Sequence, residues 1–184
     1  GSWTPGVFRG DTWIPCNTMG GTPAYNFAFG VAGDVPLAGD WDGNGTMTHG
    51  VYRPSNQTFY LGNSSTSGDL VYTIPFGNPG DIPLAGDWDG NGTYTIGLYR
   101  PSTAQFFLRT ANTGPEVFTT IAYGNLNEFP IVGDWDGNNT STIGILRTTM
   151  TDAAPTITTQ PQSQTVNIGA NVTFSVVATS PDCA

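Results

Sequence analysis

One acidic, glycine-broken loop recurs three times in this chain, as Asp40-Trp41-Asp42-Gly43-Asn44-Gly45, Asp87-Trp88-Asp89-Gly90-Asn91-Gly92 and Asp134-Trp135-Asp136-Gly137-Asn138-Asn139, at a constant spacing of 47 residues. Other positions fall into the same register: Phe29-Gly30, Phe76-Gly77 and Tyr123-Gly124; Pro36, Pro83 and Pro130; Gly50, Gly97 and Gly144; Arg53, Arg100 and Arg147. A shortened start is visible at Gly6-Val7-Phe8-Arg9. A chain built this way is an array of one copied unit, and its fold must be one that such a unit can tile.

Within each unit, short runs rich in β-formers are separated by Gly, Pro, Asn or Ser. In the first full copy these are Val51-Tyr52-Arg53, Phe59-Tyr60-Leu61, Leu70 to Phe76 and Pro83 to Gly86. No window carries a helical apolar period. Strand starts about 8–12 residues apart predict an all-β propeller, barrel or sandwich. A single unit of this size cannot bury its own apolar face, so neighbouring units must cover it, and Trp41, Trp88 and Trp135 are expected in that cover. Stacking on sugar is the competing role for these tryptophans. Arg9, Arg53, Arg100 and Arg147 share one strand position, which predicts structural pairing with carboxylates such as Asp34, Asp81 and Glu128.

Composition narrows the partners. Only 10% of the 184 residues are charged, the net charge is −9, and all five basic residues are arginine. That excludes the basic patches that hold nucleic acid or anionic membrane. No run of about 18 apolar residues is present to span a bilayer, and the start, Gly1-Ser2, has none of the regions of a signal peptide. The mixture of Gly, Thr and aromatics predicts an ordered, extracellular β protein. Cys16 and Cys183 either pair across almost the whole chain or remain two inert thiols.

The copied residues resemble the FG-GAP repeat family, units related to integrin-type β-propellers and found in bacterial secreted proteins. The resemblance covers about residues 6–149 and rests on Phe76-Gly77, Gly80-Asp81, Pro83, Gly86-Asp87-Trp88-Asp89-Gly90-Asn91-Gly92 and Gly97-Leu98-Tyr99-Arg100-Pro101-Ser102, with their equivalents in the other copies. It implies a propeller-like domain over residues 1–150, here with three units where closed propellers have 4–8 blades. It also implies calcium as a cofactor, held at the first, third and fifth loop positions: Asp40, Asp42 and Asn44; Asp87, Asp89 and Asn91; Asp134, Asp136 and Asn138. Calcium takes six to eight oxygens, which side chains alternating around a glycine-permitted turn can supply. The family's frequent Asp at the ninth position is Thr48, Thr95 and Thr142 here, so each loop lacks one anionic ligand. The competing reading is that the Asp and Asn side chains cap their own turn.

After Thr149 the character changes. Asp152 to Pro155 reads as a linker, and residues 155–166 with 172–179 look like the first two strands of a bacterial immunoglobulin-like domain, so residues 151–184 are expected to form a linker and a partial Ig-like strand pair. A complete sandwich of that kind needs about seven strands. Open strand edges recruit other chains by strand addition, and a contact between different surfaces of successive copies builds a filament when it does not close.

Catalysis is not expected. The one histidine, His49, stands where the other copies have Ile96 and Ile143, and carboxylates repeated in turns do not make the single pair that glycoside hydrolysis needs. Asn44, Asn56, Asn63, Asn91, Asn138, Asn139 and Asn171 each open an Asn-x-Ser/Thr pattern and are candidates for glycosylation. The sequence therefore predicts a non-enzymatic, extracellular structural or adhesive module that self-associates through its incomplete Ig-like segment. A calcium-assisted carbohydrate-binding module, with glycans as partners, is the alternative.

Overall fold

Four to six residues of alternating side chains, closed off each time by Gly, Pro, Asn or Ser, leave the chain few choices besides short antiparallel strands. A computed structural model describes residues 6–16, 22–23, 26–147 and 156–179, and within them the protein is all-β with no helix. The chain divides into two units, Gly1–Arg147 and Thr148–Ala184.

The first unit holds thirteen strands in four antiparallel sheets. The first sheet is β1 (Gly6–Arg9), β2 (Thr12–Pro15) and β3 (Phe27–Ala28). The second is β4 (Val35–Gly39), β5 (Thr48–Arg53), β6 (Thr58–Leu61) and β7 (Tyr72–Pro75). The third repeats it as β8 (Ile82–Gly86), β9 (Thr95–Arg100), β10 (Gln105–Arg109) and β11 (Phe118–Ala122). The fourth is the pair β12 (Phe129–Gly133) and β13 (Thr142–Leu146). Each sheet is a meander in chain order, and the described strands form no closed sheet.

The four runs of the copied unit do not form one sheet, because Pro83 to Gly86 belongs to the sheet that follows. The strand before each acidic loop pairs with the strand after it, as in Gly39 opposite Thr48 and Gly86 opposite Thr95, so the loop is the first hairpin of a sheet and does not join two sheets. Among the described residues of the first unit, the fourth sheet has the counterparts of β4 and β5 and the first sheet those of β5, β6 and β7.

Three apolar clusters lie between successive sheets. Phe27, Phe29 and Val51 pack with Phe8, Trp13 and Tyr60 where the first sheet meets the second. Trp41, Tyr52, Phe59 and Leu61 meet Ile96 and Leu98 where the second meets the third. Leu84, Tyr99, Phe106 and Leu108 meet Val132, Ile143 and Ile145 where the third meets the fourth. Alternation along β5 explains this: Val51 points back to the preceding sheet and Tyr52 forward to the next. Each sheet thus has a trailing and a leading face, and the core is the sum of leading-on-trailing contacts.

Tyr94 N–H donates to the Asp40 carbonyl and Ser141 N–H to the Asp87 carbonyl, both at 2.7 Å, tying the first two acidic loops to the start of the second strand in the next sheet. The expected Arg–carboxylate pairs form at three of the four positions named. Arg53 grips Asp34 through Nε and Nη2 at 2.9 and 2.8 Å, and Arg100 grips Asp81 at 2.8 and 2.7 Å. Arg147 Nε donates to Glu128 at 2.5 Å. Arg9 is exposed.

In the second unit β14 (Thr156–Thr159) pairs antiparallel with β15 (Val177–Thr179). The strand expected over residues 172–179 is confined to its last three residues. Phe174 and Val176 are 60% and 55% exposed, and a lone strand pair has no second layer against which to bury them. Pairing of Cys16 with Cys183, one of the two readings of these cysteines, involves Cys183, which lies outside the described residues.

Candidate functional site

The three acidic loops fold alike, and the reason is local. Gly43, Gly90 and Gly137 take φ of 73°, 72° and 73°, a left-handed turn that a side chain at those positions would strain. At the sixth position Gly45 and Gly92 also take positive φ, and Asn139 follows them at 64°, Asn being the non-glycine residue that best tolerates that region.

The carboxylates close these turns. Asp40 accepts the Asn44 and Gly45 amides at 3.0 and 2.6 Å, Asp87 accepts those of Asn91 and Gly92 at 3.1 and 2.8 Å, and Asp134 accepts those of Asn138 and Asn139 at 3.0 and 2.9 Å. The Asn44, Asn91 and Asn138 side chains donate to Asp42, Asp89 and Asp136, each at 3.0 Å, and accept the Thr46, Thr93 and Thr140 amides. Asn63 also donates to Asp42, and this bond holds that carboxyl below its usual pKa. The ninth-position threonines act as struts: Thr48 Oγ1 donates to the Gly62 carbonyl at 2.9 Å and Thr95 Oγ1 to the Arg109 carbonyl at 2.7 Å.

The oxygens that calcium would take are therefore turned onto the loop's own amides. Among the described residues no three His, Cys, Asp or Glu side chains converge as a metal site. The arrangement is that of a turn capped by its own side chains, and a cation at the loop would share these carboxylates with the amides. Asp87→Ala should lower unfolding free energy by about 2 kcal/mol, the scale of lost charge-assisted hydrogen bonds. Thermal melts should show the same loss in EDTA and in millimolar calcium. A wild-type melting temperature that climbs steeply with calcium would overturn the self-capped reading.

His49 is 3% exposed, beside Trp13, Phe27 and Phe29, with ring centroids 5.9, 4.8 and 4.1 Å away. It occupies the trailing face where Ile96 and Ile143 sit in the next two sheets, a packing position. Neither ring nitrogen has a well-formed hydrogen bond. Burial pushes its pKa down against the opposing pull of Asp69. Its folded pKa lies below the ordinary value of about 6.5, so the unfolded chain takes up the proton first as pH falls. Stability contributed by neutral His49 is complete above that value and declines below it, until the depressed folded pKa is reached. His49→Ile should flatten the decline below about pH 6.5 and add about 1 kcal/mol at neutral pH by removing two unpartnered nitrogens. Urea titrations at several pH values test both.

Position in the array separates the three loops. Trp41 is 1% exposed and donates from Nε1 to the His49 carbonyl at 3.0 Å, Trp88 is partly buried, and Trp135 is 61% exposed. The same gradient runs through the leading face. Tyr52 and Tyr99 are buried, but their counterpart Leu146 is 52% exposed; Leu84 is buried, but Ile131 is 39% exposed. Phe76 is covered by Phe118 and by the Arg109 guanidinium of the next sheet, whereas its counterpart Tyr123 is 53% exposed. Tyr123 borders an open groove of about 460 Å³ with Gly124, Asn125, Ile145 and Arg147.

Phe129, Ile131 and Leu146 were not among the sequence candidates. Of the glycosylation candidates, Asn63 is partly covered and Asn44, Asn56, Asn91, Asn138, Asn139 and Asn171 are exposed. No family model, no curated protein and no solved structure matches this chain.

Proposed function

We propose that this protein is a non-enzymatic, extracellular structural or adhesive module, a propeller-like stack of copied β-units that associates with further copies of itself. The observation that supports this most is the leading face of the fourth sheet. The same apolar surface is covered inside the chain behind the second and third sheets and stands open behind the fourth. Contiguous exposed apolar surface of this kind marks an interaction site, and a unit that repeats in sequence has other such units as its natural cover. The low charge and the absence of lysine fit a packing surface better than an electrostatic one. The strand pair of the second unit, with Ile157 about half exposed, is a second candidate surface for strand addition.

Electron micrographs and sedimentation of the purified chain test this reading. Filaments, rings or concentration-dependent oligomers support it, and particles that remain monomeric at about 100 µM, well above a micromolar dissociation constant, overturn it. Exposed Trp135 also favours one other reading, a carbohydrate-binding module that stacks sugar on this ring. A glycan array, run with and without calcium, tests that alternative.

A further inference from the structure

The first sheet carries the complement of the open end. In sequence register Val7 corresponds to Val51, Leu98 and Ile145, the residues with which each later sheet covers its predecessor. Val51 is 0% and Leu98 1% exposed, but Val7 is 51% exposed. Its cross-strand partner Ile14 matches Tyr60 and Phe107, which also pack backward. One chain therefore has an uncovered leading face at one end of its array and an uncovered trailing face at the other. Between the two, the chain displays the joint that such faces make.

We infer that the leading face of the fourth sheet, Ile131, Trp135 and Leu146, docks the trailing face of the first sheet of a second copy, Val7 and Ile14, continuing across copies the contact that joins sheets within one. This rests on the self-associating module proposed above and names its interface. Three features support a β-unit of this kind as the occupant. Within the chain the leading face is met only by a trailing face. Thr93 and Thr140 of the following sheet's loop lie over Gly43 and Gly90, while the space over Gly137 is open. Asp40 and Asp87 each accept a backbone bond from the next sheet, a bond that a docked unit can repeat at the Asp134 carbonyl.

The contact is heterologous, so each copy uses one end to give and the other to receive, and assembly continues unless it closes. Because the chain carries −9 net charge and the docking faces are apolar, added salt should strengthen association by screening repulsion.

Sedimentation velocity of the full chain with Val7→Asp and Trp135→Asp tests the inference. Wild type should form species beyond the dimer. Each variant should weaken association at least about tenfold, the effect of roughly 1.4 kcal/mol, and stay monomeric where wild type is assembled. An equimolar mixture of the two should give a dimer and nothing larger, because each variant retains the end its partner has lost. Both positions are exposed, so melting temperatures should stay close to wild type, and Leu146→Asp replaces Trp135→Asp if that variant does not fold. Wild type that assembles while both variants assemble equally well overturns this interface and leaves the self-associating reading standing, with the second unit's strand edges as the route. A mixture that remains monomeric also overturns the interface. A monomeric wild type removes the self-associating reading itself.

Discussion

Trp41→Ala is expected to lower unfolding free energy by roughly 3–5 kcal/mol, the range for emptying a buried large aromatic site, while Trp135→Ala costs less than about 0.5 kcal/mol. The two residues hold the same place in the same copied loop. Trp41 lies in a cluster with Ile96 and Leu98 of the following sheet and donates its indole N–H to the His49 carbonyl; Trp135 is 61% exposed. Trp88, partly buried among Leu84, Tyr99 and Val132, should fall between them. Urea unfolding at low protein concentration is the measurement, because association would add its own stabilisation to wild type. Equal costs at Trp41 and Trp135 would mean that the leading face of the fourth sheet is already covered in the isolated chain.

Arg100→Met is the second large effect, again roughly 3–5 kcal/mol. Methionine keeps an apolar stem over the Phe107 ring, where the guanidinium now sits 4.6 Å from the centroid, and removes the fork. The Asp81 side chain, 1% exposed, is then left as a buried charge whose remaining bond is the Asn78 amide at 2.9 Å. The loss therefore measures an orphaned carboxylate more than the worth of the pair. Adding Asp81→Asn to Arg100→Met should recover a substantial part of it, since the amide oxygen can still accept from Asn78. At the end of the array the same change is mild. Arg147 is 59% exposed, and Arg147→Met should cost less than about 1 kcal/mol. Its clearest consequence is on Glu128, whose carboxyl the Arg147 hydrogen bond holds below its usual pKa; NMR titration should show that pKa rising toward the ordinary carboxylate value. Similar losses at Arg100 and Arg147 would contradict the difference in burial.

Much of this organisation is legible in the residues. Constant spacing identifies the copied unit, glycine at the fourth loop position sets the shape of each loop, and a shared strand position pairs Arg53, Arg100 and Arg147 with their acids. Other features are not legible. The loop can be read as a metal site or as a self-capped turn, because both need Asp and Asn around glycine; in the structure the Asp40 oxygens accept the Asn44 and Gly45 amides, the contacts of the self-capped turn. The sheet boundary was also ambiguous, since a repeat read along the chain has no intrinsic first strand and pairing across the acidic loop decides it.

By itself the sequence determined an all-β chain of copied units and the local chemistry of each turn, because both depend on residues near one another along the chain. Tertiary structure decided which copies are finished. Val7 and Val51, or Trp41 and Trp135, are equivalent in sequence and opposite in exposure, because burial depends on what lies across the interface, and a repeat carries no record of whether its neighbour is there.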